Sequence, residues 1–361
     1  MIFDYIPPLY QKFLPIFFEN YLPDESAATC GSCVMLEKNS SGFSSGHHFS
    51  PASKCCTHYP ELPSYLVGAL LCNPDPASAE GARRIREKIR GKISITPLGI
   101  ERPAKYSLLI NNSLPEFFGR SAALICPFYE EEAGRCCVAP YWDSICSTWF
   151  CKYFSGEDGV RLWTALQKYL EGVEYQLKRY LLLEMGLNVP TSGSTQGSQK
   201  FLTLQELDDL PPLQKVYLAL WGEWAGKEEE FYRESYRIVS GLDREKFAQI
   251  AGVAQHELLC DVEKKYAAMV NEPIPDRLIR SSTLIVEDLS GGYRLVTAYS
   301  SFDPIKLSNR LHRCLSFFDG IKTNSEVSQA ILEDLGFVLS SHMLEKLYRF
   351  RILTAAAQSF E

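Results

Sequence analysis

Cysteine is the residue whose type and spacing could do chemistry in this chain of 361 residues. The sequence has 12 cysteines, and only Cys260 and Cys314 lie after residue 151. Thiolates are soft ligands that favour zinc ions and iron–sulfur clusters. The N-terminal part of the chain is therefore predicted to bind metal through a cluster of thiolates. The ten cysteines of this part are Cys30, Cys33, Cys55, Cys56, Cys72, Cys126, Cys136, Cys137, Cys146 and Cys151.

The redox state of the compartment in which the protein resides decides whether clustered cysteines form disulfides or bind metal. Dense cysteines in a secreted chain would predict a disulfide framework, whereas in a reducing compartment they more often ligate metal. The first residues, MIFDYIPPLYQKFLPIFF, carry no basic region and no small-residue cleavage site, so we expect no secretory signal. The adjacent cysteines at 55–56 and 136–137 do not readily bond each other, which also argues against a disulfide ladder. We therefore expect a cytoplasmic chain whose thiols are free to hold metal.

The spacing of the cysteines divides them into three sets. Cys30 and Cys33 form a C-x-x-C turn, which is a weak signal when it stands alone. The nearby pair Cys55–Cys56 strengthens this signal for metal binding. Cys72 lies in the apolar run ELPSYLVGALLC and is expected to be an ordinary core thiol. The third set consists of Cys126, Cys136, Cys137, Cys146 and Cys151.

The spacing also bears on which metal binds. Structural zinc sites commonly come as two C-x-x-C turns, and this chain has one. The irregular spacing of the later cysteines is typical of a cluster whose ligands come from separate loops. We therefore favour an iron–sulfur cluster and keep zinc as the alternative.

Four features of the sequence together resemble the bacterial cysteine-cluster proteins of the YkgJ type, which are described as zinc- or iron-chelating. They are the C-x-x-C turn at Cys30–Cys33, the Cys55–Cys56 pair, the C-P-F motif at Cys126–Phe128 and the position of Cys137 nine residues before Cys146. Flagellin lysine methylases are similar to the same group. The resemblance covers about residues 28–155.

The chain departs from this family in two places. The family's first motif is compact, C-x-x-C-x-x-C-C, whereas a loop at residues 34–54 interrupts it here, and Trp142–Asp143 stands where the family has Arg-Pro. The resemblance implies an iron–sulfur cluster, as in the methylase members, and makes Cys137 rather than Cys136 the ligand of that pair. The predicted metal ligands are Cys30, Cys33, Cys55, Cys56, Cys126, Cys137, Cys146 and Cys151.

Histidines could complete a metal shell, since imidazole is a common ligand. His47, His48 and His58 flank the cysteine motifs, but they lie in polar loops and are expected to be exposed. His256 and Cys260 are four residues apart on a predicted helix and would face one way as a possible metal-binding pair, but a core thiol beside a polar neighbour is the expected explanation. The chain has no G-x-G-x-x-G motif after a strand, no P-loop and no nucleophile elbow.

The charge balance bears on the partners. The net charge is −7, which gives no reason to expect a nucleic acid. No run approaches the roughly 18 apolar residues of a membrane helix. The basic stretch at residues 83–92 is interleaved with Glu80 and Glu87 and is expected to be a solvated helix face. We therefore expect no nucleic acid and no membrane as partners.

Three segments of different character must position these residues. Residues 1–155 form a predicted cysteine-cluster domain, rich in loops, in which a metal core would supply stability that apolar burial does not. Residues 156–275 form a predicted helical domain, and residues 276–361 a winged-helix-like module. The predicted fold class is mainly α, with an irregular cysteine-rich metal-binding N-terminal domain, a helical middle and a C-terminal winged-helix-like α+β module.

The middle segment is predicted to hold three helices. The first carries an apolar stripe from Trp163 to Leu177, with apolar residues spaced by three and four. The second is expected between Pro211 and Gly241. The third begins at the N-cap Asp243.

The last segment is predicted to be a hairpin followed by three helices. STLIVED and YRLVTAY are strand-like runs separated by the turn LSGG. Asp303 is expected to cap a helix that ends at Gly320, since a proline follows at the first helical position. Thr323 and Glu326 form a capping box for the next helix. A last helix is expected at residues 341–349.

Several residues of this segment resemble the small peptide-binding winged-helix domains of the PqqD type. They are Gly292–Leu295, Phe318–Gly320, Thr323, Glu326–Val327, Leu344, Leu347 and Arg351–Leu353. The resemblance implies peptide binding. A DNA-binding winged helix is the rival, but residues 281–361 hold eight Lys or Arg against nine Asp or Glu, which is a poor surface for phosphates.

Two functions of different classes follow from these patterns. The first is an iron–sulfur enzyme or accessory protein that acts on a protein or peptide, with the C-terminal module presenting that substrate. In this hypothesis the peptide adds a strand to the hairpin edge along Tyr293–Tyr299. The second is a non-catalytic zinc- or iron-binding scaffold whose cysteines only hold the fold.

Overall fold

The computed structural model of the chain describes residues 6–19, 30–31, 33–36, 48–187, 209–271 and 273–356. Helix, counting α and 3-10 helices together, makes up about 53 % of the described residues, and the strands form small antiparallel sheets. The predicted predominance of helix is confirmed at this level. None of the helices in the described ranges is long and apolar enough to cross a bilayer.

The cysteine-bearing part of the chain is built from short elements. Its helices in the described residues are α1 (Pro8–Gln11), α2 (Ser64–Cys72), α3 (Ala79–Gly91), α4 (Ala104–Asn111) and α5 (Ser144–Thr148). Its strands there are β1 (Leu62–Pro63), β2 (Ile95–Thr96), β3 (Gly99–Ile100), β4 (Tyr129–Glu130) and β5 (Arg135–Cys136). β3 lies between β1 and β2, and β4 pairs with β5 as a hairpin. Glycine, proline and serine between these elements account for the loops.

The middle of the chain supplies the longest helices. In the described residues they are α6 (Gly156–Glu184), α7 (Gln214–Trp221), α8 (Glu228–Ser240) and α9 (Arg244–Asn271). α6 confirms the first predicted helix of this segment. α9 starts after Asp243, whose Oδ1 accepts a hydrogen bond from the backbone N–H of Lys246 at 2.8 Å, as predicted for an N-cap.

One predicted helix of this segment is wrong in its extent. The helix expected between Pro211 and Gly241 is two helices, α7 and α8. Gly222 and Gly226 separate them with φ angles of +54° and +85°. Glycine adopts this left-handed backbone without steric cost, and a right-handed helix cannot contain it. Gly252, with φ of +68°, interrupts α9 for the same reason.

Two hydrophobic cores join these helices to the cysteine-bearing part of the chain. The first lies between α6, α9 and the start of the chain, and its aromatic members include Tyr10, Phe13, Phe18, Trp163 and Phe247. The second lies between α2, α3, α7 and α8, and its aromatic members include Tyr59, Phe128, Trp221, Phe231 and Tyr232. Both cores contain residues from either side of residue 155. The proposed domain boundaries stay predictions.

A third core belongs to the C-terminal residues. It includes Leu278, Leu315, Ile331, Leu347 and Leu353. Strand β6 (Leu278–Arg280) pairs antiparallel with β10 (Leu353–Ala355). A three-stranded antiparallel sheet has the order β7 (Ile285–Leu289), β8 (Tyr293–Thr297), β9 (Ile305–Ser308). The helices of this part, in the residues described, are α10 (Asn309–Cys314), α11 (Asn324–Leu335) and α12 (Ser341–Arg349).

The boundaries of these C-terminal helices follow their caps. The capping box predicted for α11 is confirmed, with both of its hydrogen bonds present. The helix expected from Asp303 to Gly320 is wrong in its first half. The residues after Asp303 pair with β8 as strand β9, so α10 begins only after Ser308, whose Oγ accepts a hydrogen bond from the N–H of Leu311.

The hairpin edge expected to receive a peptide is not available. β8 lies in the centre of its sheet, where Val296 pairs with Val286 on one side and with Ile305 on the other. The prediction of a strand added along Tyr293–Tyr299 is wrong for this reason. β7 is an outer strand, and no strand of the described residues pairs with its second edge.

Gly68 marks a close approach of α2 to α8. A Cβ atom at this position would lie 1.8 Å from the carbonyl oxygen of Tyr232, a clash that no side-chain rotation can relieve. We expect Gly68→Ala to lower the free energy of unfolding by about 2 kcal/mol or more, because it forces two packed helices apart. Denaturant unfolding followed by circular dichroism measures this change.

Gly91→Ala is the matched control. Gly91 ends α3, and a Cβ there would meet only the side chain of Ile93, at 3.4 Å. Because alanine favours the helix more than glycine does, this variant should be as stable as the parent protein or gain up to about 1 kcal/mol. Equal stability of Gly68→Ala and the parent would contradict the close packing of α2 on α8.

Candidate metal centre

Eight cysteine side chains line one cavity of about 430 Å³. Seven of them are predicted ligands, and the eighth is the cysteine of the 136–137 pair that was expected not to bind. All twelve cysteines of the chain are free thiols. The eight that face the cavity are Cys30, Cys33, Cys55, Cys56, Cys126, Cys136, Cys146 and Cys151.

The structure places the two cysteines of the adjacent pair in different surroundings. Cys136 ends strand β5 and faces the cavity, whereas Cys137 is 3 % exposed and packs in the core with α2 and α3. Successive residues of an extended chain point to opposite sides, so only one of the two can face the cavity. Gly81 on α3 permits a close approach of this backbone, because a Cβ there would lie 2.3 Å from the carbonyl oxygen of Cys137.

Backbone hydrogen bonds bring the cysteine loops together. The N–H of Cys126 donates to the carbonyl of Cys56 at 2.8 Å, which joins two loops far apart in sequence. The turn before Cys56 is held by the carbonyl of Gly119, which accepts hydrogen bonds from Ser50 N at 2.8 Å and from Ser53 Oγ at 3.0 Å. The positions of these thiols therefore depend on contacts between loops more than on helices or strands.

Lys54 connects two further loops at the cavity wall. Its Nζ donates to the carbonyl of Cys30 at 2.9 Å and to the carbonyl of Gly134. Lys54 itself has a φ of +48°, an uncommon left-handed conformation for a residue with a side chain. The ammonium group thus fastens the C-x-x-C turn to the β4–β5 hairpin.

Helix α5 positions Cys146. Asp143 caps this helix, and its Oδ1 accepts a hydrogen bond from the N–H of Cys146 at 2.8 Å. Its Oδ2 accepts from the N–H of Glu61 at 3.1 Å, so the same carboxylate also holds the chain next to His58. Cys151 follows in the short connection from α5 to α6.

Burial raises the pKa of most thiols in the cavity. It raises the pKa of Cys30 to about 11 and that of Cys151 to about 12, and it also raises the pKa values of Cys126 and Cys146. The apolar lining disfavours the charged thiolate. The pKa of Cys55 is lowered instead, chiefly by a hydrogen bond with the neighbouring thiol in the chain. A bound cation would reverse the preference for the protonated form, because a coordinating thiol is deprotonated.

Three aromatic rings line one side of the cavity, and a fourth ring packs on them. The ring centroids of Phe118 and Trp149 are 4.8 Å apart, and those of Phe49 and Phe118 are 5.6 Å apart. Phe302, from the loop between β8 and β9, packs on this group with its centroid 6.0 Å from that of Trp149. Such edge-to-face packing excludes water from the wall. We call these four residues the aromatic wall.

Asp303 attaches the loop between β8 and β9 to the loops that carry the cysteines. Asp303 is buried, and its carboxylate accepts hydrogen bonds from the N–H of Tyr153 at 3.1 Å and from the hydroxyl of Tyr299. Lys152, next to Cys151 in the chain, pairs with it at 3.5 Å. This contact attaches the C-terminal part of the chain to the edge of the cavity.

A triad of possible ligand atoms lies at the same cavity. The side chains of His58, Asp143 and Cys146 offer one atom each, and these atoms lie within 4.8 Å of one another. His58 Nε2 is buried and has no hydrogen-bond partner among the described residues. Burial lowers the pKa of His58, which favours the neutral imidazole that binds metal. The sequence interpretation, which expected an exposed histidine, missed this residue.

The sulfur atoms are spaced more widely than this triad. No three cysteine sulfurs of the described residues lie within 4.8 Å of one another. A tetrahedral zinc ion with zinc–sulfur bonds of about 2.3 Å holds its four thiolates about 3.8 Å apart. The cavity's donor set is soft and rich in sulfur, which fits an iron–sulfur cluster in chemistry, and no three of its sulfurs in the described residues lie as close together as the thiolates of a single zinc ion.

The remaining candidates from the sequence lie away from the cavity. Cys72 is exposed at the end of α2, so the expectation of a core thiol is wrong. His256 Nε2 and Cys260 Sγ are 3.7 Å apart on an exposed face of α9. His48 is not among the residues that line the cavity, and His47 lies outside the described residues.

The basic stretch at residues 83–92 is a solvated helix face for part of its length, as predicted. Arg83 is exposed and pairs with Glu80 at 2.7 Å. Arg84 differs, because its guanidinium donates to the carbonyls of Pro127 and Tyr129 at 2.6 and 3.0 Å. It therefore holds the loop that follows Cys126.

Comparisons with protein-family models, with curated proteins and with solved structures find no match for the chain. The chemistry of the cavity is therefore inferred from its own residues. These are eight thiols, an imidazole and a carboxylate around one apolar space.

Glu174 on α6 anchors the helix that carries Cys146. Its carboxylate accepts hydrogen bonds from the N–H of Ser144 at 2.7 Å and from the hydroxyl of Tyr10 at 2.9 Å. The side chain is buried, and this burial raises the pKa of Glu174 to about 7. The native state thus favours the neutral carboxyl more than the unfolded state does.

The free energy of unfolding should therefore fall as the pH rises from about 4.5 to about 7. Below this range the carboxyl is neutral in both states. Within it the unfolded carboxyl ionises first, which favours the unfolded chain. The size of the pKa shift corresponds to an effect on the order of 3 kcal/mol. Denaturant titrations at several pH values measure it.

Glu174→Gln removes the ionisable group and keeps its shape, so this part of the pH dependence should disappear. Glu171→Gln, which replaces an exposed carboxyl on the same helix, is the matched control and should retain the fall. An unchanged pH profile in Glu174→Gln would show that Glu174 does not titrate in this range.

Proposed function

We propose that the protein binds an iron–sulfur cluster of the [4Fe–4S] type through the cysteines of the cavity and acts on a protein or peptide substrate. One observation carries the proposal, namely that thiols from sequence positions between 30 and 151 converge on a single apolar cavity. A group of thiols that only filled a core would not need to face one common space. Convergence of this kind is what a cofactor with several cysteine ligands requires.

The absence of a close group of three sulfurs supports iron–sulfur over zinc. No three cysteine sulfurs of the described residues lie as close together as the roughly 3.8 Å of a tetrahedral zinc site. A cluster spaces its cysteines more widely, because each cysteine binds a different iron. When bound, such a cluster supplies one-electron chemistry at the cavity. The aromatic wall and the apolar lining would keep water from it, and water access is one factor that tunes its potential.

We further propose that residues 276–361 are a PqqD-like winged-helix module that presents the substrate to the cavity. The three-stranded sheet and the three helices of this part support a winged-helix arrangement. Phe302 and Asp303 hold the module against the cysteine loops, so a substrate on the module would lie close to the cavity. A methylase-like modification of a protein, in the reducing cytoplasm, fits this arrangement.

The outer strand β7 is the place where the module could take a peptide. Its second edge has no strand partner among the described residues. Ile285 is 62 % exposed and Val286 37 % exposed, which is unusual for apolar side chains on an unpaired edge. A peptide that adds a strand there would gain main-chain hydrogen bonds and cover both side chains.

A non-catalytic zinc- or iron-binding scaffold is the second candidate. The His58–Asp143–Cys146 triad favours it, because one histidine nitrogen, one carboxylate oxygen and one thiolate within 4.8 Å suit a single ion. In that case the cysteines would only stabilise the loops. Metal identity separates the two candidates.

Iron, acid-labile sulfide and zinc should be measured on the full-length protein purified without oxygen. We expect iron and sulfide in equal amounts and a brown protein, because thiolate-bound iron–sulfur clusters absorb visible light. Stoichiometric zinc with no colour would contradict the iron–sulfur assignment and favour the scaffold. Adding acid to the protein should release iron and sulfide in equal amounts.

The adjacent pair 136–137 offers a matched control for the ligand assignment. Cys136→Ser should reduce the bound iron at least twofold, because it removes a thiol that faces the cavity. Cys137→Ser should retain the iron of the parent protein, since this thiol lies in the core. The opposite result, loss only in Cys137→Ser, would restore the ligand choice made from the family resemblance.

Peptide binding can be tested with peptides selected on the full-length protein from a random library. We expect such a peptide to slow hydrogen exchange of the amides in Ile285–Leu289, because an added strand pairs with the free edge of β7. The amides of Asn324–Leu335 on α11 serve as the internal control and should not change. Protection confined to α11 or to another part of the chain would contradict edge binding.

A further inference from the structure

The cavity thiols fall into two groups by the apolar side chains packed around them. Cys33, Cys55 and Cys151 share one hydrophobic cluster with Met35 and Phe49. A different cluster, the core between α2, α3 and α8, contains three others: Cys56, Cys126 and Cys136. Among the described residues, no apolar cluster contains cavity cysteines of both groups.

The two groups meet at one peptide bond. Cys55 and Cys56 are adjacent in the chain, but Cys55 packs with the aromatic wall and Cys56 with the core. The carbonyl of Cys56 accepts the hydrogen bond from Cys126 N, a member of its own group. The adjacent pair therefore supplies one thiol to each group, at the point where the two groups meet.

The two cavity thiols that neither cluster contains divide in the same way. Cys30 shares its C-x-x-C turn with Cys33, and its carbonyl accepts a hydrogen bond at 2.9 Å from Nζ of Lys54, the residue before Cys55. The ligand atom of Cys146 lies within 4.8 Å of that of His58, two residues after Cys56. Cys30 thus belongs with the first group and Cys146 with the second, which gives four thiols to each.

We propose that the cavity holds two iron–sulfur clusters side by side. A [4Fe–4S] cluster takes four cysteine ligands, so a single cluster would leave half of the converging thiols unused. The inference rests on the proposed iron–sulfur function. The first cluster is bound by Cys30, Cys33, Cys55 and Cys151. The second cluster is bound by Cys56, Cys126, Cys136 and Cys146.

The two clusters have different surroundings. Phe302 packs against the side that holds the first group, and Lys152, next to Cys151, pairs with Asp303 of the C-terminal loop. The second group lies against the helical core, with His58 beside Cys146. The first cluster is therefore the one that a substrate held by the C-terminal module would meet.

Iron and sulfide per chain in the anaerobically prepared full-length protein are the first measurement. Two clusters predict about eight irons and eight sulfides, and one cluster predicts about four. The second measurement is the EPR spectrum of the dithionite-reduced protein. Two clusters joined through adjacent cysteines should couple magnetically, so we expect a spectrum broadened and split relative to that of an isolated cluster.

Single variants then separate the two sites. Cys151→Ser should halve the iron and remove the splitting, because only the second cluster remains. Cys126→Ser should do the same and leave only the first cluster. Cys314→Ser, which replaces a buried thiol of the C-terminal core, is the control and should keep both the iron content and the coupled spectrum.

The outcomes distinguish this inference from the function on which it rests. About four irons in the parent protein with an uncoupled spectrum would overturn the two-cluster inference and leave the iron–sulfur function standing. Full iron content in either Cys151→Ser or Cys126→Ser would also overturn it. Absence of iron and sulfide, with zinc in their place, would overturn both. If a variant does not fold, the iron count and spectrum of the parent protein still decide.

Discussion

Eight thiol groups share one apolar cavity, and the rest of the structure is arranged around this constraint. Burial disfavours the thiolate at most of these sulfurs. The loops that carry these sulfurs contain strands of only two residues and short helices. Their positions depend on a few buried polar contacts made by Lys54, Arg84 and Asp143. Each of these side chains joins loops that are distant in sequence, so the site cannot form before the chain folds back on itself.

The long helices supply the rigidity that the cysteine-bearing loops lack. α6 buries one face along its length and offers Glu174 to the start of α5, so a rigid element fixes the helix of Cys146. Two close helix contacts bring the same rigidity to Cys136. Helix α2 approaches α8 at Gly68, and α3 approaches the end of the β4–β5 hairpin at Gly81. In both places glycine permits a backbone contact that any side chain would prevent. The cost of ordering irregular loops is thus offset by apolar burial in the helices beside them.

The C-terminal part of the chain is attached at the point where the cavity comes nearest to it. Phe302 completes the aromatic wall and Asp303 is buried among Lys152, Tyr153 and Tyr299. Arg351 adds ion pairs with Glu157 and Asp158 at the start of α6. The contacts near the cavity pass through a single loop between β8 and β9. If a cluster occupies the cavity, this loop links the metal centre mechanically to the sheet that carries the free β7 edge.

The sequence by itself determined the local features of this protein. Twelve cysteines with clustered spacing, the apolar stripe of α6, the N-cap at Asp243 and the capping box of α11 depend on residues a few positions apart, and each was readable without the structure. Features that depend on distant contacts were decided only by the tertiary structure. Which of Cys136 and Cys137 faces the cavity depends on packing in the core with α2 and α3, because an extended chain presents its two sides equally until one is covered. His58 reaches the cavity, and Phe302 reaches the rings beside it, by long-range packing. β8 is a central strand because residues after Asp303 pair with it. Such contacts join residues that are far apart in the chain, so no local pattern encodes them.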